Sequence, residues 1–287
     1  FSTNVPKRGM EDAIAQQYLE REIDVLLGGG ARHFLQTQED SSVIDYIPQF
    51  EAKGYQIVKT ASELSAIRGG GPLLGLFSQS HIPYAIDRQN DRAYKDVPSL
   101  VDMFSAALTQ LDGAKDGFVL QVEGGRVDHA GHGNDPGGIL HEFLEFDACI
   151  PIALEFIESH PDTMLVVTTD HGTGGCQLDG AGSAYLDSGP ALDRINQLRH
   201  SFEWLQQGFE AKGKFDPVLL KTALGIEPTD AQAAIVQAAL DSEAQYLSGA
   251  LNQAFGKQLN ELTAVGWTSN KHTSECVELF AFGPGSE

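Results

Sequence analysis

Apolar residues along this chain follow two alternating patterns, one with helical spacing and one of short continuous runs. Helical spacing covers residues 13–22, 99–111 and 139–158. Continuous apolar runs cover residues 23–27, 73–77, 117–121, 164–168 and 278–282. Short buried strands separated by amphipathic helices are typical of α/β proteins with a largely parallel sheet. We therefore predict an α/β fold with a largely parallel central sheet.

The alternation of helices and strands stops between residues 177 and 266. Helical patterns over residues 190–208 and 229–255 follow one another there, without a strand-like run between them. This predicts an inserted helical subdomain over 177–266. Residues 1–176 then form part of the α/β metal-binding core, and residues 267–287 return to its sheet.

Composition narrows the class of protein without identifying it. The chain has 287 residues, of which 41% are hydrophobic and 21% are charged, as in ordinary globular proteins. No stretch reaches the roughly 18 to 20 apolar residues of a membrane span, so none is expected. A net charge of −21 would repel nucleic-acid phosphates, so we expect no nucleic-acid binding. The three cysteines form no C-x-x-C pair, which argues against a zinc ribbon or a dense disulfide framework.

Acidic and histidine side chains follow two of the predicted strands. Asp128 comes after the run 117–121, and Asp170 and His171 come after the run 164–168. Because the carboxyl ends of strands meet at one edge of an open α/β sheet, these side chains should lie at the same rim. His132 stands four residues after Asp128, so both can face one side of a helical turn and share a metal.

Two further residues strengthen the metal hypothesis. Glu123 precedes Asp128 by five residues, and His272 follows the segment Gly-Trp-Thr-Ser at 266–269. Imidazole and carboxylate ligands together suit zinc, whereas a carboxylate among oxygen donors suits magnesium. Two divalent ions about 3.5 to 4 Å apart would hold the attacking and leaving oxygens of a phosphoryl transfer.

Three segments resemble, in the same order, the three downstream metal motifs of the alkaline phosphatase family. They are VEGGRVDHAGH at 122–132, TTDHGTGG at 168–175 and GWTSNKHT at 266–273. The segments DVLLGGG at 24–30 and FGPG at 282–285 also resemble landmarks of that family. The resemblance covers nearly the whole chain. It implies a three-layer sandwich around the sheet, with the helical insertion as a crown-like subdomain.

Carried over residue by residue, the resemblance implies two zinc ions and one magnesium ion. Ligands of the first zinc would be Asp128, His132 and His272. Ligands of the second zinc would be Asp170 and His171. The magnesium ion would be held by Glu123, although a carboxylate at that position could instead cap a turn.

The resemblance also implies roles for two residues at the substrate. Arg8 aligns with the arginine that grips the non-bridging phosphate oxygens, and a guanidinium fork matches two such oxygens at once. It could also be a solvated surface arginine. His129 falls where family members vary. It would contact the phosphate through water or tune the magnesium region, and a structural role is the alternative.

The function that the resemblance implies is hydrolysis of small-molecule phosphate monoesters through a phosphoserine intermediate. It also implies a homodimer in the periplasm or outside the cell. A phosphodiesterase or phosphonate hydrolase of the same superfamily is the nearest alternative. A non-catalytic zinc-binding fragment is another.

One departure from the family pattern concerns the nucleophile. No segment resembles the turn that carries the serine nucleophile, the upstream aspartate that bridges zinc and magnesium, or the threonine of the magnesium site. Because Arg8 stands so near Phe1, we expect this sequence to be truncated upstream. We also expect the family's domain to continue beyond Glu287.

Overall fold

The computed structural model describes residues 2–37, 43–180 and 188–286. The chain divides into two compact units. The first contains residues 1–83 and 92–123, and the second contains residues 84–91 and 124–287. Each unit has its own buried apolar cores, and each is described separately below.

The first unit is built on a parallel sheet flanked by helices. Its strands are β1 (Val25–Gly28), β2 (Leu35–Thr37), β3 (Val43–Asp45), β4 (Gln56–Val58) and β5 (Leu73–Leu76). Its helices are α1 (Glu11–Arg21), α2 (Ile47–Ala52), α3 (Ala61–Ser65) and α5 (Leu100–Leu111), with two short 3₁₀ turns at Ala31–Phe34 and Arg92–Tyr94. Helix α4 belongs to the second unit.

Strand β5 is the middle strand of the parallel sheet, which has the order β1-β5-β4. All four of its residues are buried, as a continuous apolar run between two parallel neighbours requires. Helix α5 begins with a capping box in which the hydroxyl of Ser99 accepts from the Asp102 N–H and the Asp102 carboxylate accepts from the Ser99 N–H. The parallel sheet and the many helices confirm the α/β class.

The second unit is mainly helical. Its helices are α4 (Ala85–Asn90), α6 (Arg126–Gly133), α7 (Pro136–Asp147), α8 (Cys149–Ser159), α9 (Gly189–Leu192), α10 (Phe202–Lys212), α11 (Pro217–Leu224), α12 (Asp230–Asp241) and α13 (Ser248–Thr263), with a 3₁₀ turn at Asp193–Gln197. Its strands are β6 (Leu165–Thr168), β7 (Gly172–Thr173), β8 (Gln177–Leu178), β9 (Val265–Gly266), β10 (His272–Thr273) and β11 (Leu279–Phe282). They form antiparallel pairs: β11 with β6, β10 with β7, and β8 with β9.

Four predicted elements differ from those observed. The predicted helix 229–255 is two helices, α12 and α13, separated by residues 242–247. Residues 117–121 pair with no strand in the described chain, and Val119 is 76% exposed. The predicted helix 139–158 is two helices, because Pro151 lacks an N–H and is tolerated only in the first turn of α8. The predicted helix 190–208 is interrupted before α10, where Ser201 takes the N-cap position and accepts from the Trp204 N–H.

Two buried carboxylates connect helices α4 and α7 to the start of α10. Asp87 of α4 accepts from the backbone N–H of Ser201 at 2.9 Å and from its hydroxyl at 2.6 Å. Asp135 accepts from the N–H groups of Gly138 at 2.8 Å and Phe202 at 2.7 Å. These bonds satisfy donors at the N-termini of α7 and α10, which would otherwise be buried without partners.

The largest apolar core of the second unit lies among helices α9 to α13. Its fully buried members include Leu205, Phe209, Leu220, Leu251 and Phe255. The same core contains Tyr84, Ile86 and Ala130, which come from the segments around α4 and α6. The helical segment therefore shares its core with the helix that carries Asp128 and His132. Among the described residues, no helix is both long enough and apolar enough to cross a membrane.

Replacing Glu142 with Gln should remove a pH-dependent loss of stability. Glu142 is 7% exposed in α7 and accepts from the Ala85 N–H at 2.6 Å. Burial raises its pKa from 4.5 to about 7. The folded chain binds this proton more tightly than the unfolded chain does. The group's contribution to stability is therefore fully present below pH 4.5. About 3 kcal/mol of stability is lost as the pH rises to 7.

Urea unfolding at pH 5 and pH 8 measures this effect. Glu142→Gln keeps an acceptor oxygen for the Ala85 N–H and cannot ionise, so it should gain stability relative to the wild type at pH 8. Glu155→Gln, on the exposed side of α8, is the matched control and should show no such gain. The same pH response in both variants would contradict the assignment of the pH-dependent stability to Glu142.

Candidate metal centre

Helix α6 presents Asp128 and His132 one turn apart. Its sequence begins after Gly124 and Gly125 and ends at Asn134, which adopts the left-handed conformation with φ 50°. The four-residue spacing brings His132 Nε2 within 3.5 Å of Asp128 Oδ1. The two side chains are 39% and 37% exposed, so their ligand atoms remain accessible from solvent.

Glycines allow α6 to approach β7 closely. A Cβ on Gly131 would lie 2.9 Å from the carbonyl oxygen of Thr173 and 3.0 Å from its Cβ. Gly174, with φ +77°, lies on the strand side of the same contact. A Cβ there would lie 2.6 Å from the carbonyl oxygen of Gly131. A side chain at either position would therefore separate the helix from the strand.

Strand β10 brings His272 to the same place. It pairs with β7 so that His272 lies opposite Thr173. The loop before it is bonded to the end of α6: the carbonyl of Asn270 accepts from His132 Nδ1 at 2.8 Å, and the carbonyl of Ser269 accepts from the Asn134 side chain at 2.8 Å. His132 and Asn270 are 138 positions apart in the sequence.

Ligand atoms of Asp128, His132 and His272 all lie within 4.8 Å of one another. His272 Nε2 stands 3.6 Å from Asp128 Oδ1, the same oxygen that His132 faces. One carboxylate and two imidazoles are the donor set of a zinc site with three protein ligands and an open position. The arrangement therefore fits a single zinc ion.

Hydrogen bonds determine which histidine nitrogens can bind a metal. A carbonyl can only accept, so His132 Nδ1 carries the proton and Nε2 has the free electron pair. The hydroxyl of Thr173 donates to Asp128 Oδ1 at 2.6 Å, so it can only accept from His171 Nδ1, which lies 3.2 Å away. His171 Nε2 is then also available as a ligand.

Asp170 and His171 lie directly beside this cluster. Asp170 Oδ2 is 3.2 Å from His171 Nε2, and the Asp170 side chain is 84% exposed. The ring of His171 stacks on that of His272, with centroids 3.5 Å apart. The two groups of predicted zinc ligands are therefore in contact through their imidazoles.

The other predicted site residues are Arg8, Glu123 and His129. Arg8, before α1, and Glu123 both belong to the first unit, where both are exposed. His129 is on α6, and its Nδ1 accepts from Arg126 Nη1 at 3.1 Å. The roles of these three residues remain predictions.

Sequence reasoning missed two residues that hold the centre in place. Thr173 contacts both Asp128 and His171. Arg126 is buried beneath the Tyr84 ring, 3.8 Å from its centroid, and pairs with Glu203 at 2.6 Å. Both stand inside motifs singled out from the sequence, but neither residue type marks a metal site by itself.

Comparisons with known proteins point to a single family. A profile of the alkaline phosphatase family matches residues 2–287. Alkaline phosphatase 3 of Bacillus subtilis is 30% identical over 293 residues, covering 100% of this chain and 60% of the relative. The repressible alkaline phosphatase of Saccharomyces cerevisiae is 32% identical over 327 residues, covering 98% of this chain and 56% of the relative.

Solved structures give the same result. The crystal structure of Thermus thermophilus alkaline phosphatase superposes with a TM-score of 0.84 at 34% identity. The match covers 99% of this chain and 62% of the other. The chain thus spans about three fifths of the length of the proteins that it matches.

Replacing Gly131 with Ala should disturb the centre. The added Cβ would meet the Thr173 backbone at 2.9 Å, so we expect a loss of about 1 to 3 kcal/mol of stability and weaker zinc binding. Gly133→Ala on the same helix is the matched control, because its Cβ would make only ordinary contacts at 3.8 Å or more. Thermal unfolding and a zinc titration test both variants. Equal behaviour of the two would refute the close-contact explanation.

Proposed function

Because this chain belongs to the alkaline phosphatase family, we propose that it forms the metal-binding part of an enzyme that hydrolyses phosphate monoesters. In this reaction the ester and water give an alcohol and inorganic phosphate. The observation that carries the proposal is the convergence of Asp128, His132 and His272. The comparisons do not favour the phosphodiesterase or phosphonate hydrolase alternative.

Family membership implies metal cofactors, and we propose two zinc ions and one magnesium ion. Asp128, His132 and His272 would hold the first zinc, and Asp170 and His171 the second. Glu123 would contribute to the magnesium site. When bound, zinc lowers the pKa of a coordinated water to about 7 and offsets negative charge on the transferring phosphoryl group.

The chain's own residues then have distinct tasks. His132 and His171 would hold the metals through Nε2, because the Asn270 carbonyl and the Thr173 hydroxyl accept from their Nδ1 atoms. Arg8 would grip two non-bridging phosphate oxygens through its guanidinium fork. His129, whose Nδ1 accepts from Arg126, would contact the phosphate through water or tune the magnesium region.

The family resemblance supports a two-step transfer through a phosphoserine intermediate. In the first step the serine oxygen would bond to phosphorus as the bond to the alcohol oxygen breaks, and the alcohol would leave with a proton. In the second step water would release inorganic phosphate and restore the serine. No segment of this chain resembles the turn that carries that serine.

We further propose that residues 177–266 form a helical insertion that contributes to a homodimer interface. Strands β8 and β9 pair at the two ends of this segment, with Gln177 opposite Gly266. Exposed apolar side chains on the segment include Val218 and Tyr246, which are 67% and 71% exposed. A periplasmic or extracellular location is proposed on the family resemblance.

Replacing His272 with Ala in the full-length enzyme should weaken zinc binding at least tenfold and abolish hydrolysis, because the first zinc would lose one of three protein ligands. The exposed ring contributes little to the core, so circular dichroism should be unchanged. His33→Ala is a control from outside the centre. Zinc content after dialysis, circular dichroism and p-nitrophenyl phosphate hydrolysis are measured together. Full zinc content in His272→Ala would contradict the ligand assignment.

Replacing Arg8 with Ala in the full-length enzyme should weaken phosphate binding rather than zinc binding. Arg8 grips the phosphate similarly in the ground and transition states, so its loss should raise KM or the phosphate dissociation constant by about tenfold, with zinc content unaffected. An Arg8→Ala chain that matches the wild type would make Arg8 a surface residue. Stoichiometric zinc without hydrolysis in the full-length wild-type enzyme would instead favour the non-catalytic alternative.

Replacing both Val218 and Tyr246 with Glu should convert the proposed dimer into a monomer, because charge at an apolar interface is costly to bury. Substitution is preferable to deletion of 177–266, since deletion would expose the shared core. Val119→Glu, equally exposed but outside this segment, is the control. Analytical ultracentrifugation gives the mass. A wild-type monomer, or a double variant that remains dimeric, would refute the interface.

A further inference from the structure

A groove of about 680 Å³ opens beside His132. It runs along α13 and the loop before β10, and all of its described lining belongs to the second unit. The volume falls within the range of about 300 to 1,000 Å³ that is typical of small-molecule sites. Because His132 is also a member of the metal cluster, the groove begins where the cluster ends.

Hydrogen-bond acceptors line the groove in fixed orientations. The side-chain nitrogen of Asn252 donates to the carbonyls of Gly133 at 2.7 Å and Ser248 at 2.9 Å. Because both N–H bonds are used, the polar atom that remains for a ligand is the carbonyl oxygen, an acceptor. That oxygen points toward Gly256, which also lines the groove.

Asn260 is oriented in the same manner. Its nitrogen donates to Asp179 Oδ2 at 2.7 Å and to the Val265 carbonyl at 3.0 Å. This leaves the Asn260 carbonyl oxygen and the Asp179 carboxylate as acceptors in the same part of the groove. A well-matched occupant must therefore supply several hydrogen-bond donors.

Two classes of occupant do not fit the groove: a second phosphate group, because of the groove's charges, and an apolar molecule, because of its oriented acceptors. Among the described lining residues, Asp179 is the one carboxylate and Lys257 the one ammonium group. Lys257 is 91% exposed and lies 3.6 Å from Glu261, so it does not form a second phosphate site within the groove. An apolar occupant would cover the oriented acceptors without bonding them, and each buried acceptor left without a donor would weaken its binding.

A neutral, hydroxyl-rich molecule meets these conditions, because each hydroxyl both donates and accepts. The Trp267 indole adds a flat apolar surface to the lining, against which the C–H face of a sugar ring can pack. Because His132 belongs to both the metal cluster and the groove lining, an ester whose phosphate is held at the cluster can place its alcohol part in the groove. We propose that this groove binds the alcohol part of a sugar or polyol phosphate, an inference that rests on the proposed function.

Filling the groove tests the proposal. A Cβ on Gly249 of α13 would meet nothing within 4 Å. Phe also has a higher helix propensity than Gly. Gly249→Phe therefore places a ring in the groove without backbone strain. Gln253→Phe, at an exposed position on the same helix outside the lining, is the matched control.

Calorimetric titration of the zinc-loaded chain with glucose 6-phosphate, ethyl phosphate and a phosphoserine peptide gives the comparison. In the wild type and in Gln253→Phe, glucose 6-phosphate should bind at least tenfold more tightly than ethyl phosphate. In Gly249→Phe this ratio should fall at least tenfold. If Gly249→Phe fails to fold, Asn252→Leu removes an acceptor instead and should lower the ratio likewise.

The outcomes separate this inference from the proposed function. Equal binding of glucose 6-phosphate and ethyl phosphate, or an unchanged ratio in both groove variants, would overturn the groove assignment even if p-nitrophenyl phosphate is hydrolysed. Tighter binding of the phosphoserine peptide than of the sugar phosphate would also overturn it. A sugar preference that depends on the groove, without hydrolysis of any ester by the full-length enzyme, would support the groove and count against the proposed function.

Discussion

The centre depends on the close contact between Gly131 of α6 and Thr173 of β7. At this distance the hydroxyl of Thr173 reaches Asp128, and the strand that pairs with β7 delivers His272. Because a helix and a strand normally keep their backbones apart by the size of their side chains, the approach requires residues without a Cβ. The metal ligands are thus positioned by backbone packing as much as by their own side chains.

A second constraint fixes the surroundings of α6. The buried carboxylates of Asp87 and Asp135 accept from the first N–H groups of α10, so α10 begins at a defined place. Burial raises the pKa of Asp135 to about 6, against the lowering effect of the N–H groups that it accepts from. Both ends of the helical segment 177–266 meet where β8 pairs with β9, and its last helix, α13, lines the groove beside His132.

Local patterns predicted helices and strands well where the local signal was complete. The capping box at Ser99 and Asp102 marked the start of α5, because its bonds are made within one turn. The run 117–121 was apolar enough for a strand, but a strand also needs a neighbouring backbone, which local sequence does not specify. The break before α10 was missed because Ser201 is held there by Asp87, a residue 114 positions earlier.

The sequence by itself determined the residue types of the centre, their order along the chain and the helical spacing of Asp128 and His132. Those features follow from contacts within a few residues, which spacing controls. The family resemblance predicted His272 as the third ligand, but only the tertiary structure decided how β10 brings it to Asp128, that Thr173 bonds to both Asp128 and His171, and that a groove opens at His132. These depend on how α6, β7 and β10 pack, and packing between residues more than a hundred positions apart is set by the whole core rather than by any local pattern.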